Sequence, residues 1–305
     1  MIPIMLKLIS VFDATGNQGG SVIKYILEDP LLSKEYKIRG LTSDTSKGPA
    51  QKLAQRGVEV VSADLNCVDS LTTALEGSHT IFLVTESLGV SNVELEFSQG
   101  KNVTIVARNL DVSYIIFSSL HVEDATEDNL RSFPHFDSKA NIEKYIRGSG
   151  LKCTFILPGH FMSNFTQMLK KAEGGKYQLC CPVDGKKAKF PLFDATDTGL
   201  FVKAALKNAD SLPGKRLLEA SGYYTAEEIV GIFSNVTGKK AKFIQVSPEQ
   251  YRESMHKRMD LEFPEHFVGD SGHYPDKILE SSLKLLDSQP TTWPEFVKKN
   301  AAFWN

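Results

Sequence analysis

The feature that most constrains the fold is the alternation of short apolar runs with helix-patterned segments over the first 157 residues. Apolar runs at residues 7–12, 37–42, 58–62, 80–85, 114–118 and 153–157 predict strands. Segments with apolar residues at helical spacing predict helices at residues 21–27, 50–56, 70–75, 94–110 and 139–147. Strands that alternate with helices pair in parallel, so the pattern predicts an α/β protein with a doubly wound parallel sheet.

The rhythm weakens after residue 157, which indicates a second, smaller lobe of α+β type. A predicted helix at residues 194–206 and a predicted strand at 216–220 are expected to complete the first domain. Further helices are predicted at residues 225–237, 246–255 and 292–303, the first opening with a Thr-x-x-Glu capping box. We therefore expect a first domain of residues 1–157 completed by 194–220, and a C-terminal lobe of residues 158–193 and 221–305.

Composition and charge exclude several classes of function. Hydrophobic residues are 41% and charged residues 24%, which is typical of a soluble globular protein. The net charge of −2 predicts neither direct nucleic acid binding nor attachment to an anionic membrane. The apolar start MIPIMLKLISVF lacks a basic segment and a cleavage site, so it is interpreted as a buried first strand. Binding to protein partners remains open.

The cysteines and histidines predict neither disulfides nor a metal site. The four cysteines have no disulfide-framework spacing and form no C-x-x-C pair, and the histidines lack ligand spacing. Free thiols are typical of a reducing compartment. The expected location is the cytoplasm, and entry into the nucleus stays open.

A glycine-rich segment, VFDATGNQGGS at residues 11–21, follows the first predicted strand and leads into a helix. In a Rossmann-type domain this is the position of the phosphate loop, where backbone N–H groups and a helix N-terminus face a pyrophosphate. Such loops usually begin with glycine, whereas this one begins with Asp13. Either the loop binds a dinucleotide despite the carboxylate, or it has lost its ligand.

Several segments resemble the NmrA-like family, an atypical branch of the short-chain dehydrogenases. They are ATGNQGGSV, GVEVVSADL, HFDSK, LPGHFMSNF and TAEEIVGIFSNVTGKKAKFIQVSPEQ, which occur in the family's order along most of the chain. The resemblance implies a Rossmann fold that binds NAD(P). The C-terminal lobe is expected to lie over the nicotinamide and substrate side of the coenzyme, because substrate pockets of two-lobed proteins usually lie there.

The resemblance assigns the phosphate loop to residues 13–19. The family pattern is G-x-x-G-x-x-G, and Asp13 takes its first position. The residues concerned are Asp13, Ala14, Thr15, Gly16, Asn17, Gln18 and Gly19. The Asp13 carboxylate would repel a pyrophosphate by about 1 kcal/mol at a surface-like separation. Alternatively, its oxygens cap the loop N–H groups and compete with the ligand.

Other strand ends supply the remaining predicted coenzyme contacts. Ser43 and Lys47 follow the second strand and would accept the 2′-phosphate of NADP, while the neighbouring Asp44 favours NAD. NADP is therefore preferred, with NAD possible, and Lys47 is alternatively a solvated charge. The other predicted contacts are Asp64 and Leu65 at the adenine, Thr85 at the pyrophosphate or ribose, Ser118 at the nicotinamide or a substrate, and Pro158, Gly159, His160 and Phe161 at the nicotinamide.

The catalytic tyrosine of the dehydrogenases has no counterpart in this chain. Short-chain dehydrogenases use Tyr-x-x-x-Lys, in which the lysine holds the ribose and the tyrosine transfers the proton. The corresponding residues here are His135 and Lys139. Lys139 is predicted to bind coenzyme, and His135 is a candidate acid–base group because its ordinary pKa is about 6.5. His160 is a second such candidate, and the alternative for both histidines is a polar residue without a catalytic role.

Two main functions remain open on the sequence. The first is a sensor or regulator that binds NADP(H) or NAD(H) with little or no turnover and responds by presenting a different surface to a protein partner. The second is an NADPH-dependent reductase of the isoflavone-reductase or quinone-reductase type that uses Lys139. A scaffold that binds no coenzyme is a third possibility.

Overall fold

The computed structural model describes residues 6–85, 93–120, 134–255 and 276–304. The strands are β1 Lys7–Val11, β2 Tyr36–Thr42, β3 Glu59–Ser62, β4 Thr80–Leu83, β5 Tyr114–Ser118, β6 Cys153–Pro158, β7 His160–Phe161, β8 Leu169–Lys171, β9 Tyr177–Cys181, β10 Lys189–Phe193, β11 Arg216–Glu219, β12 Gly222–Thr225 and β13 Ala241–Gln245. The helices are α1 Asn17–Glu28, α2 Leu32–Glu35, α3 Gly48–Gln55, α4 Val68–Leu75, α5 Val93–Asn109, α6 Pro134–Gly148, α7 Phe165–Met168, α8 Thr198–Lys207, α9 Ala226–Thr237, α10 Pro248–Met255, α11 Asp276–Leu283 and α12 Trp293–Lys299.

A seven-stranded parallel sheet with the order β3-β2-β1-β4-β5-β6-β11 forms the centre of the fold. Its order reverses between β1 and β4, because the chain proceeds from β1 to β2 on one side and later returns to β4 on the other. Ligands of doubly wound sheets bind at the carboxyl ends of the strands at such a switch point. The predicted α/β class and doubly wound parallel sheet are thus confirmed.

The central strands are apolar along their whole length because helices cover both faces of the sheet. All four residues of β4 and all five of β5 are buried. One side of the sheet packs against α4, α5 and α6 around a cluster that includes Leu83, Phe117 and Phe155. Burial of each such side chain contributes roughly 1.5–3 kcal/mol.

Helix α1 begins at Asn17, four residues before the predicted start, with Gly16 as its N-cap. The apolar stripe that revealed the helix starts only at Val22, because the first turn, Asn-Gln-Gly-Gly, is polar or lacks side chains. Helix α6 likewise begins at Pro134 rather than at residue 139. Both helices therefore extend further toward the carboxyl edge of the sheet than their apolar residues indicate.

The described residues form two compact units. The first comprises residues 6–85, 93–120, 134–157 and 196–217, and the second comprises residues 158–195, 218–255 and 276–304. In the first unit, α1 packs on α8, where Ser21 Oγ donates to Thr196 O (2.6 Å) and accepts from Gly199 N–H (2.9 Å).

The second unit contains two three-stranded sheets, with the orders β12-β10-β7 and β13-β9-β8. Its core is aromatic and includes Phe165, Phe233 and Trp293. The predicted capping box at the start of α9 is present, because Thr225 and Glu228 each accept a hydrogen bond from the other's backbone N–H. Among the described residues, no helix has the length and hydropathy needed to cross a membrane.

Candidate functional site

The glycine-rich turn joins the end of β1 to the start of α1 at the carboxyl edge of the central sheet. Ala14 N–H donates to the backbone of β2 (3.2 Å), and Gly16 N–H donates to Asp13 O (2.9 Å). A Cβ atom at Gly19 would lie 2.2 Å from Phe12 O, so only glycine allows α1 to start this close to β1. The N-terminus of α1 therefore lies beside the end of β1, the arrangement that binds phosphate groups in dinucleotide-binding folds.

The Asp13 carboxylate lies over this turn. Asp13 has a left-handed backbone with φ of 55°, and its Oδ2 accepts a hydrogen bond from Gly19 N–H at 3.3 Å. A Cβ atom built on Gly16 would lie 1.8 Å from Asp13 Oδ1, so the carboxylate fills the space that the glycine leaves open. An anion near a helix N-terminus is stabilised by the helix dipole. This geometry matches the alternative in which Asp13 competes with a pyrophosphate for the loop.

Gln18 connects the first turn of α1 to the end of β5. Its Oε1 accepts a hydrogen bond of 2.8 Å from Ser118 Oγ. In the sheet, β4 lies between β5 and β1, the strand that leads into α1, so the bond from α1 to β5 passes over the end of β4. Thr15 and Asn17 are exposed beside it. The predicted contacts on the loop and on β5 therefore meet at the switch point of the sheet.

Lys139 is buried in a polar cluster with Glu96, Thr85 and Ser138, which we call the Lys139 cluster. Lys139 Nζ donates to Glu96 Oε1 (2.6 Å), Thr85 O (3.0 Å) and Thr85 Oγ1 (2.9 Å). Glu96 also accepts hydrogen bonds from Thr85 Oγ1 (2.8 Å) and from Ser138 Oγ. Glu96 and Lys139 are 2% and 7% exposed, so the cluster is closed to solvent.

The ammonium group of Lys139 is fully used by these contacts. An ammonium has three N–H donors, and Glu96 and the two oxygens of Thr85 take all three. Burial lowers the pKa of Lys139, and the charge and hydrogen bond of Glu96 oppose that shift. In this arrangement Lys139 and Thr85 bind each other and Glu96, and Lys139 has no donor left for a ribose hydroxyl.

A second buried carboxylate, Glu143, holds the residue that follows β5. Ser119 Oγ donates to Glu143 Oε2 (2.8 Å), while Oε1 accepts from Arg147 Nη2 (2.7 Å) and Arg216 Nε (2.8 Å). Glu143 is 1% exposed. Two guanidinium groups compensate its charge, so the cluster fixes α6 and β11 to the end of β5. Ser119 is thereby held as a structural contact.

The tip of β2 carries the residues predicted to select NADP or NAD. Ser43 and Lys47 are exposed. The Asp44 carboxylate accepts hydrogen bonds from Ser46 N–H (2.9 Å) and Ser46 Oγ (2.6 Å), and these bonds lower the pKa of Asp44. Asp44 therefore remains charged, but it is turned onto Ser46.

The predicted adenine contacts follow β3. Asp64 Oδ1 accepts from Asn66 N–H (2.9 Å) and Asn66 Nδ2 (3.0 Å), and its own N–H donates to Ser70 Oγ (3.1 Å). Leu65 O accepts from Asn102 Nδ2 on α5 (3.1 Å). These bonds fix the turn after β3 and leave the Asp64 side chain at the surface.

The predicted nicotinamide contacts, Pro158, Gly159, His160 and Phe161, belong to the second unit. The His160 ring packs against Phe165 and Phe190, with centroid distances of 5.1 Å and 5.5 Å. Burial lowers the pKa of His160 to about 4, so its imidazole is neutral at physiological pH. A neutral ring among aromatic side chains is poorly suited to donate a catalytic proton.

His135 lies in the first turn of α6, four residues before Lys139 in the same helix. Its side chain lies outside the described part of the structure, so the acid–base role of His135 stays a prediction. Within the described residues, no group of three or more His, Cys, Asp or Glu side chains is placed to hold a metal ion.

Glu96 and Glu143 are the important residues that the sequence interpretation missed. Glu96 lies on the buried face of α5 together with Gln99, Gly100 and Val103, at the spacing i, i+3, i+4 and i+7. A carboxylate in such a buried stripe requires a buried partner. No apolar pattern marks this stripe in the sequence, because three of its four residues are polar or lack a side chain, so the sequence shows neither its burial nor which cation is the partner.

Comparison with known proteins gives a family for almost the whole chain. A model described as the NmrA-like family matches residues 5–297. A Dictyostelium discoideum protein with an NmrA-like family domain is 27% identical over 307 residues, which cover 97% of this chain and 98% of the relative. The NmrA-like oxidoreductase malD of Malbranchea aurantiaca is 29% identical over 257 residues, covering 79% and 76% of the two chains.

The same fold occurs in a solved transcriptional regulator. The crystal structure of NmrA, a negative transcriptional regulator, has a TM-score of 0.79 and is 21% identical, covering 97% of this chain and 96% of NmrA. NmrA has also been solved in complex with NAD, with a TM-score of 0.76, and in complex with NADP, with a TM-score of 0.74.

Proposed function

Because the chain belongs to the NmrA-like family, we propose that it binds a nicotinamide dinucleotide, NADP(H) or NAD(H), and acts as a coenzyme-dependent regulator with little or no turnover. The observation that carries the second half of this proposal is the complete enclosure of Lys139 by Glu96 and Thr85. A lysine in that state cannot hold a ribose or assist proton transfer. The absence of tyrosine at position 135 agrees with it.

The proposed coenzyme site starts at the N-terminus of α1. The loop from Asp13 to Gly19 would hold the pyrophosphate, and Gln18 and Ser118 would face the crevice at the switch point. We take NADP(H) as the preferred coenzyme, because Ser43 and Lys47 are exposed at the tip of β2 while Asp44 is turned onto Ser46. A bound coenzyme supplies hydride chemistry; the residues of this chain supply binding and orientation.

Asp13 sets the affinity of the proposed site. For a phosphate to reach Gly19 N–H, the carboxylate must leave it, so one hydrogen bond is exchanged for another. The exchange also brings two anions close together, at a cost of about 1 kcal/mol for a solvent-screened separation. The residues therefore fit a dinucleotide with reduced affinity, and binding is coupled to movement of the Asp13 side chain.

Such a coupling is the physical requirement for regulation. A ligand shifts a protein between two conformations only as far as it binds them with different affinity. The two conformations we propose differ at the loop, where Asp13 is either on or off the Gly19 amide. A protein partner that distinguishes them would respond to the coenzyme.

Calorimetric titration with NAD⁺, NADH, NADP⁺ and NADPH tests binding, and Asp13→Gly tests the role of the carboxylate. We expect Asp13→Gly to lower the dissociation constant about fivefold to tenfold. Asp111→Gly is the matched control, because Asp111 is the other described non-glycine residue with positive φ (52°) and lies in the turn between α5 and β5. It should leave binding unchanged. Absence of heat with all four dinucleotides in both the wild type and Asp13→Gly would contradict the proposal.

The second candidate is a reductase, which the similarity to the oxidoreductase malD favours. It requires NADPH consumption with quinones or enones as acceptors. Robust turnover that is abolished by Lys139→Ala, in a variant shown to be folded by circular dichroism, would establish the reductase and exclude the regulator.

A further inference from the structure

The sheet β13-β9-β8 of the second unit presents a concentration of lysines, which we call the lysine face. It consists of Lys170 on β8, Lys176 just before β9, and Lys240 and Lys242 at β13, with Lys171 and Lys239 at its margins. Lys239 is half-buried, and the other five are exposed.

The register of the sheet brings Lys170 and Lys242 together on one side. Lys170 pairs with Gln178, and Gln178 pairs with Lys242 on the opposite strand, so the two lysines flank Gln178. The neighbouring residues of β9, Tyr177 and Leu179, are buried in the core. Because side chains alternate along a strand, Gln178 and its lysine neighbours face outward.

The charge of this face is unbalanced. Residues 169–182 and 237–246 contain six lysines and one acidic residue, Glu173, although the whole chain has 35 basic and 37 acidic residues. None of the six lysines takes part in a salt bridge with any residue that the structure describes. Cations stabilise the C-terminus of a helix, which accounts for Lys239 and Lys240 after α9. This effect of the helix C-terminus does not account for Lys170, Lys176 and Lys242.

A depression adjoins one end of the lysine face. A depression of about 460 Å³ is lined by Lys176, Lys239, Lys240 and Lys242, together with Ser234 and Gly238. Gly238 has a left-handed backbone with φ of 71° that ends α9, and this turn leads the chain directly into β13. The lysines of the depression therefore lie in the short connection from α9 to β13 and on β13 itself, with Lys176, just before β9, beside them.

We propose that the lysine face binds an extended, acidic segment of a partner protein. Alternate residues of a strand are about 7 Å apart, which is the spacing of Lys240 and Lys242, and Lys170 lies two strands away at about 10 Å. Alternate carboxylates of an extended peptide have the same 7 Å spacing, so they match this array. The proposal concerns residues other than those of the proposed coenzyme site and does not depend on coenzyme binding.

The chemistry of the face favours a protein over a nucleic acid. The side chains between the lysines are Gln178 and Cys180, which offer no aromatic ring on which a base could stack. The face also contains no arginine, the residue that forms forked contacts with phosphate groups. A lysine carries a point charge on a flexible side chain, so a group of lysines can adapt to a row of carboxylates on a peptide.

The test uses the full-length protein and a fluorescein-labelled peptide of about ten glutamates, followed by fluorescence anisotropy at about 30 mM and about 300 mM salt. The variant changes Lys170, Lys176, Lys240 and Lys242 to glutamine. The control changes four exposed lysines elsewhere, Lys34, Lys37, Lys52 and Lys284, to glutamine. We expect the first variant to weaken binding at least tenfold and the control to change it less than twofold, with affinity falling as salt increases.

Three results would overturn the proposal. They are no binding by the wild type at low salt, equal losses in the two variants, and tighter binding of an oligothymidylate of equal charge that is lost in the same variant. Coenzyme titration of the lysine-face variant separates this proposal from the previous one, because its dissociation constant should equal that of the wild type.

Discussion

At the scale of single residues, the main finding is that Lys139 is in an ion pair rather than at an open site. The sequence predicted a position beside the coenzyme for Lys139 from its spacing to His135, and both residues lie in helix α6. Its state depends on Glu96, which is 43 residues away in the sequence. Spacing within one helix cannot reveal a partner supplied by another, which is why the site was only partly predictable.

The Lys139–Glu96 pair gives a stability prediction. Lys139→Met leaves the buried Glu96 carboxylate without its cation, so the free energy of unfolding should fall by about 3–5 kcal/mol. Lys139→Met combined with Glu96→Leu should recover at least half of that loss, because both charges are then absent. Urea unfolding followed by circular dichroism measures both.

The control for this prediction is an ion pair at the surface. Lys7 Nζ and Glu35 Oε1 are 2.7 Å apart, and the two side chains are 43% and 45% exposed. Lys7→Met should therefore change the free energy of unfolding by less than about 1 kcal/mol. An equally small effect of Lys139→Met would show that the buried pair does not stabilise the fold.

His160 gives a prediction about pH. Its pKa is about 4 in the folded protein and about 6.5 when unfolded, so between these values the unfolded chain binds one more proton. Stability should thus be lost as the pH falls from 6.5 to 4, by at most about 3 kcal/mol. His160→Leu should remove this increment. Unfolding in urea at pH 7 and at pH 4 measures the difference, and identical pH dependence in both proteins would refute the assignment.

At the scale of elements, the contact between α1 and α8 depends on Gly199. A Cβ atom there would lie 2.3 Å from Ser21 O and 2.6 Å from Tyr25 Cδ2. Gly199→Ala must push α8 away from α1 and should cost about 1–3 kcal/mol, as overpacking does. Thermal unfolding measures the change.

Gly231 provides the matched comparison in another helix. It lies within α9, and a Cβ atom there would have no atom within 4 Å. Gly231→Ala should therefore stabilise the protein by up to about 1 kcal/mol, since alanine is the better helix former. If both substitutions changed stability in the same direction, close packing at Gly199 would not be the controlling factor.

Elements with a strong local signal were predictable, and elements defined by pairing were not. The capping box at Thr225 and the apolar runs of β4 and β5 carry their own signal. Strands β7 and β8 have two and three residues, which is too few to show an alternating pattern. They are strands only because β9 and β10 lie beside them.

At the scale of the whole molecule, the sequence was sufficient for the fold because the strand–helix alternation and the glycine turn agree. The N-terminus of α1 and the ends of β1 and β5 lie where that fold requires. What the sequence left open was whether Asp13 points onto the turn, since a left-handed aspartate has more than one allowed side-chain position. The bond to Gly19 depends on coordinates that only the folded chain provides.

The position of β11 at the edge of the central sheet affects how the chain is made. Its neighbour β6 ends at Pro158, while β11 starts at Arg216, so about 60 residues must be synthesised before the pair can form. At roughly 5–20 residues per second, a ribosome needs roughly 3–12 s for that stretch. Throughout this interval the nascent chain carries β6 without its outer neighbour, and such a strand can pair with another unfinished polypeptide.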